Sequence, residues 1–238
     1  CVFRAEVGEA NVVNLAREKR EEGYSVRILG EGSNGGNITY PSSVRDPLAT
    51  IFAIIKLLAI RDSLEHDGTI RPGLFHLWCI KSGQENKYKP DFTLSDILAS
   101  LPAYTTTGVS ESRAVLHVKT EDKGKLKLRF QKLFEQEWKE RRDELKEKYG
   151  IESYAADTTN GTKEIKNATD WNNGNGGLKI RFMDSSGTNK AFIWMRPSGT
   201  ESVFRVMCDT KGIKPQEEHS LLEWETSILM RADAIGKQ

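Results

Sequence analysis

The sequence is short of cysteine, of unbalanced charge and of long apolar runs, and each shortage removes a class of protein. Only three cysteines, Cys1, Cys79 and Cys208, stand among 238 residues. They are too few and too scattered for a disulfide framework or a zinc site, and the odd number fits a reducing compartment, so the expected location is cytoplasmic. Lysine plus arginine number 35 against 34 acidic residues, a net charge of +1. Such a chain has no global field to attract nucleic acid or an anionic membrane, and neither is expected as a partner; any bound anion must be held by a local site. The longest apolar-dominated run, Leu48 to Ile60, is interrupted by Lys56 and falls short of the ~20 residues that span a bilayer. It reads as a buried helix. No two histidines stand at metal-ligand helical spacing and no two aspartates at i, i+2, so no metal site is expected in this chain.

The chain also lacks an initial Met and a signal peptide, since Cys1-Val2-Phe3 runs straight into Arg4. Cys1 therefore has three readings: an exposed N-terminal nucleophile, the lipidated cysteine of a processed lipoprotein, or a strand residue of a longer protein whose earlier part is missing.

What remains is ordinary globular composition, 37% hydrophobic, enough for one or two domains with a core. Residues 2 to 7 read as a strand, Ala10 to Glu22 as a helix with Val12, Val13, Leu15 and Ala16 as its stripe, and Tyr24 to Leu29 as a second strand. A glycine-rich stretch, Gly30 to Asn37, then leads to an apolar helix from Asp46. The predicted order is βαβ-loop-α, an α/β partial domain with too few strands to cover both faces of an open sheet. Turn dipeptides at Asp67-Gly68 and Pro72-Gly73 mark residues 61 to 92 as a linker or a connection between domains, although Leu74 to Ile80 is apolar enough to pack, with a boundary near Gln84.

The second part reads as α+β. Leu94 to Leu101 is a short helix and Ala114 to Lys119 a strand. Leu126 to Tyr149 is a long charged helix with Phe130, Leu133, Phe134, Trp138 and Leu145 at three and four residue steps and its charges on a solvated face. The polar stretch 152 to 177 reads as a mobile surface loop. Three strands follow at Leu178 to Met183, Ala191 to Met195 and Val203 to Cys208, then a closing helix from about Gln216.

The sharpest chemical signal is Arg196-Pro197-Ser198-Gly199-Thr200-Glu201-Ser202 between two predicted strands, with Arg205 inside the second. Ser198 and Thr200 offer hydroxyl donors, Gly199 lets backbone N–H groups approach an anion, and Arg196 is a planar fork for two phosphate oxygens. Each charge-assisted bond contributes roughly 1.5–3 kcal/mol. By composition alone the same string reads equally well as a tight hairpin turn capped by Ser and Thr. Upstream, Gly30-Glu31-Gly32-Ser33-Asn34-Gly35-Gly36 places a carboxylate able to accept from two neighbouring sugar hydroxyls among permissive glycines. No Gly-Lys-Ser/Thr follows, so it is not a nucleotide P-loop.

The string Arg196 to Glu201 resembles the phosphate-binding loop of the last domain of α-D-phosphohexomutases, the family of phosphoglucomutases and phosphomannomutases, with Ser202 where the family usually has proline. Gly30 to Gly36 resembles the sugar-recognition loop of the family's third domain, followed by a matching Arg45-Asp46-Pro47-Leu48. Arg4-Ala5-Glu6-Val7-Gly8-Glu9 is similar to the family's opening of that region, with Glu6 where several members carry lysine. The resemblance implies residues 1–83 as the C-terminal part of domain 3 and 84–238 as domain 4, a domain resembling the TATA-box-binding-protein fold.

It also implies a division of labour. Glu31 with Ser33 or Asn34 would grip sugar hydroxyls, while Arg196, Ser198, Gly199, Thr200 and Arg205 would clamp the phosphate that is not reacting. The enzyme would interconvert hexose 1-phosphate and 6-phosphate through a bisphosphate. The catalytic serine loop and the aspartate loop that holds Mg²⁺ have no counterpart here and are expected upstream of Cys1, in missing N-terminal domains that would be this chain's partner. This chain alone is expected to be inactive. The alternative is a non-catalytic phosphosugar-binding module that uses the same loops.

Overall fold

The structure is a computed structural model that describes residues 1–31, 36–108, 110–198 and 203–235. By packing, the chain forms two compact units, Cys1–Gly23 with Ala103 onward, and Tyr24–Pro102 between them. This partition differs from the division between residues 83 and 84 that the resemblance implies. The fold is mixed α/β, with six α-helices and a seven-stranded antiparallel sheet among the described residues.

In the first unit the opening residues form no strand, contrary to the expectation for residues 2 to 7; the Glu6 N–H donates to the Gly161 carbonyl and no ladder develops. Gly8, at φ 132°, turns the chain into α1 (Glu9–Glu21), which buries Val13, Leu15 and Ala16.

The second unit opens on β1 (Ile28–Leu29) and β2 (Ile38–Thr39), which pair antiparallel. The predicted βαβ unit over residues 2 to 29 is therefore corrected, because residues 2 to 7 form no strand and β1 pairs antiparallel with β2 instead. Next comes α2 (Pro47–Ala59), capped by the Asp46 carboxylate, which accepts from the Ala49 N–H. The buried helix expected here is also corrected: none of its residues is buried, and Leu48 and Phe52 are 65% and 60% exposed. A helix this apolar has no polar face to direct outward, so the sequence gives no sign of which side, if any, is covered. The expected linker is structured instead. β3 (Ser63–Leu64) and β4 (Ile70–Arg71) form a hairpin around Asp67-Gly68, and α3 (Leu74–Lys81) and α4 (Leu94–Ser100) follow. The Asp67 carboxylate accepts from the N–H and hydroxyl of Thr69 while Gly68 takes φ 83°, the chemistry of a tight turn. Phe75, Cys79, Phe92 and Ile97 form a small core, with the Arg61 guanidinium 3.7 Å above the Phe92 ring.

From Ala103 the chain builds the large sheet. Its strands are β5 (Tyr104–Thr106) and β6 (Val115–His117), then, after the long helix α5 (Lys123–Tyr149), β7 (Ser153–Asn160), β8 (Lys163–Ile165), β9 (Gly177–Met183), β10 (Asn189–Pro197) and β11 (Val203–Lys211). The helix α6 (Pro215–Ile235) closes the chain. The order is β5-β11-β10-β9-β7-β8, with β6 also on β11. Asp122 caps α5 through the Lys125 N–H, and Gly150 ends it in the left-handed conformation at φ 67°. The mobile loop expected over 152 to 177 is corrected, since β7 and β8 occupy much of it and Trp171 is buried. The segment has few aliphatic residues, but β7 gains its partner, β9, from beyond the polar stretch.

The strand alternation divides β10 and β11 between two faces. Ala191, Ile193, Met195, Phe204, Val206 and Cys208 join Phe130, Phe134 and Leu145 of α5 and Leu221, Ile228 and Leu229 of α6 in one core, each large side chain contributing roughly 1.5–3 kcal/mol. Phe134 lies 5.0 Å from Trp224, which ties the two helices together. Lys190, Phe192, Trp194 and Arg196, with Arg205 and Met207, stand on the opposite face. Cys79 and Cys208 are fully buried, and Cys1 is exposed.

Candidate functional site

The sheet end formed by β7, β9, β10 and β11 carries the site. Register places Thr159 opposite Gly177, Met195 opposite Leu178, and Arg196 opposite Arg205. The two predicted phosphate-binding arginines are thus neighbours across one pair of strands and on one face. Beyond them the chain bends, and the Ser198 N–H donates to the Val203 carbonyl at 2.8 Å. Gly199 and Thr200 of the predicted clamp lie outside the described residues.

Arg196 is held at one end only. Its Nη1 donates to the Val7 carbonyl at 3.0 Å and lies 4.0 Å from the Glu6 carboxylate, whereas Nε is buried with no partner among the described residues. The Nε side of a guanidinium is the edge that, with Nη2, pairs side-on with two oxygens of a carboxylate or phosphate. A buried, unused donor costs about 1–3 kcal/mol, so an oxyanion docked there recovers a bond that the protein itself leaves unmade.

The residues around this arginine were not singled out as a site by the sequence reading. Glu6, 6% exposed, accepts from Thr159 Oγ1 at 2.7 Å, from the Gly177 N–H, and through its other oxygen from the Val7 N–H at 2.8 Å. Lys127, fully buried in α5, donates to the Gly176 carbonyl at 2.8 Å and to Asn173 Oδ1. Burial pushes the Lys127 ammonium down to about 8, partly offset by the Glu6 charge. One signal could have found Lys127: it lies three residues before Phe130 and seven before Phe134, on the apolar stripe and not among the solvated charges expected of that helix.

Further along the same face, Arg181 forks onto Asp157 at 2.6 and 3.0 Å, and Lys179 lies 3.8 Å over the Phe192 ring. Burial raises the Asp157 carboxyl, but the Arg181 and Asn167 donors outweigh it and hold the group below its ordinary value. Desolvation lowers Lys179, and nearby Arg4 adds to that.

In the other unit, Glu31 ends the segment before the glycine-rich stretch, and its carboxylate lies 3.7 Å from Arg45 Nη1. Behind that stretch the backbone is tightly packed: Gly36 takes φ 81°, and a Cβ there would stand 2.9 Å from Thr50 Oγ1. Ser33 and Asn34 lie outside the described residues. Among the described residues no group of three or more His, Cys, Asp or Glu is placed to hold a metal ion, and no helix is long and apolar enough to cross a membrane.

Comparison with protein-family models finds no match, and comparison with curated proteins finds none either.

Proposed function

We propose that this chain is the C-terminal part of a phosphohexomutase, interconverting hexose 1-phosphate and 6-phosphate through a bisphosphate, and that its share of the work is substrate binding. The observation that carries this reading is the buried, unpartnered Nε of Arg196 at a strand end, with Arg205 in register beside it and the residues Ser198, Gly199 and Thr200 next in the sequence. Two guanidinium groups on one face suit a phosphate dianion, and they bind by charge, which lets the same clamp accept a phosphate from either end of a sugar.

In this reading Arg196, Ser198, Gly199, Thr200 and Arg205 hold the phosphate that is not reacting, and Glu31 with Ser33 or Asn34 accepts the sugar hydroxyls. The phosphoryl donor serine and the Mg²⁺ of the full-length enzyme would lie outside this chain. The finer fold assignment, a partial α/β third domain followed by a TATA-box-binding-protein-like domain, belongs to the same proposal; an antiparallel sheet with two long helices on one face supports its second half.

The test is calorimetric titration of glucose 6-phosphate and mannose 6-phosphate into the chain and into Arg196→Ala, with folding followed by circular dichroism. The expected result is binding that weakens at least tenfold in the variant, the ~1.4 kcal/mol or more of one charge-assisted contact. Equal affinity in two folded proteins removes Arg196 from the clamp and the reading with it.

A further inference from the structure

The Glu6 carboxylate is an unusual neighbour for an anion site. It lies 4.0 Å from the Arg196 guanidinium, on the Nη1 side, while the unused Nε edge lies on the other. It cannot swing away, because Thr159 Oγ1, the Gly177 N–H and the Val7 N–H all donate to it. Nor is it screened, because it is buried, and buried charges act on one another far more strongly than exposed ones. The Glu6 N–H bond to the Gly161 carbonyl pins the backbone as well.

We propose that Glu6 is an affinity-limiting residue of the phosphate site: a fixed negative charge that shares Arg196 with the incoming phosphate and so keeps the clamp releasable. The inference rests on the phosphate-binding reading of Arg196. Geometrically, a phosphate on the Nε edge faces a second anion across a single guanidinium, roughly 6–8 Å away. At that range two like unit charges in a partly buried setting, taken alone, weaken binding by roughly 30- to 100-fold. Lys127, the nearby buried cation, offsets part of this repulsion, because its ammonium and the Glu6 carboxylate attract one another, and leaves an effect of about tenfold. The consequence suits the proposed reaction. A bisphosphate that must leave its clamp and return reversed gains nothing from a site that holds either end too tightly.

Glu6→Gln keeps the shape of the side chain and an acceptor for Thr159 and Gly177, and removes the charge together with the acceptor for the Val7 N–H. The experiment titrates inorganic phosphate and glucose 6-phosphate into the wild-type chain, Glu6→Gln and Arg196→Ala at low ionic strength. The expected result is a Kd about tenfold lower in Glu6→Gln and at least tenfold higher in Arg196→Ala. An unchanged or higher Kd in a folded Glu6→Gln protein, with Arg196→Ala still weakened, overturns the role of Glu6 and leaves the phosphate site standing. Wild-type binding that Arg196→Ala does not weaken, or no binding by any of the three, overturns both. Glu6→Gln deprives Lys127 of its counter-charge; if that unfolds the variant at neutral pH, the same comparison at about pH 9, where the ammonium is discharged, decides the question.

Discussion

Lys127 and Glu6 grip the two ends of one peptide group. The ammonium takes the Gly176 carbonyl at 2.8 Å, and the carboxylate takes the N–H of Gly177 on the other side of the same amide. Helix α5, the start of β9 and the opening segment of the chain are thereby joined through a single planar unit, at the sheet end that also carries Arg196.

The Lys127 ammonium makes stability depend on pH in a defined direction. Its pKa falls from an ordinary 10.5 to about 8 on folding, so between those values the unfolded chain binds the extra proton. Stability therefore rises with pH from about 8 to about 10.5, by up to roughly 3 kcal/mol from this group. Lys127→Met should lack that rise. Denaturant melts of both proteins across this range, compared by difference, check it.

Gly176 should tolerate no side chain. A Cβ there would collide with the Thr159 carbonyl and come within 2.8 Å of Asn173 Nδ2, and the backbone carbonyl cannot yield as a flexible side chain could. Gly176→Ala is expected to cost about 1–3 kcal/mol, read as a lower thermal midpoint. Gly174→Ala is the control: its φ of 60° is unfavourable for alanine, but no atom lies within 4 Å of the added carbon.

The Arg181 fork should govern the acid side of the profile. Asp157 is held below its ordinary 3.8, so the stability it contributes is complete above that value and is lost as pH falls through the lowered one. Arg181→Ala should cost about 1–2 kcal/mol at neutral pH, discounted for partial solvent screening. It should also flatten the decline in thermal midpoint between about pH 5 and pH 2.

Glu225 is the least favourable residue in the core. Both carboxyl oxygens are buried without a partner among the described residues, and burial raises the group well above its ordinary 4.5. The folded protein keeps the proton that the unfolded chain releases, so stability is greatest below 4.5 and declines as pH rises toward the folded value. Glu225→Leu should stabilise the protein by about 1–3 kcal/mol at neutral pH and remove that slope. Thermal melts from about pH 4 to pH 8 measure both effects.

The elements that could be read from the sequence were those whose side chains alternate or repeat against a common core. Phe130, Phe134 and Leu145 mark α5, Leu221, Ile228 and Leu229 mark α6, and Ile193 and Met195 mark β10; all are buried where periodicity places them. β7 escaped because Ser153 to Asn160 has almost no aliphatic residues and becomes a strand by pairing with β9 across the polar stretch. β2 escaped because two paired residues leave no period to detect, and of the strand expected over Tyr24 to Leu29 only Ile28 and Leu29 pair. In α2, uniformly apolar residues pointed to burial although its side chains lie exposed. At the site, Arg196 and Arg205 were marked by type and spacing. Glu6, Thr159 and Lys127 come together only through the tertiary fold, from positions more than a hundred residues apart at the widest.

The distribution of sulfur has a practical corollary. With the thiols at positions 79 and 208 sealed inside and the one at position 1 facing solvent, a maleimide dye on the native chain has a single address, five residues before Glu6. A fluorophore attached there sits on the opening segment whose Val7 carbonyl holds Arg196, so its anisotropy reads how firmly that segment is fastened.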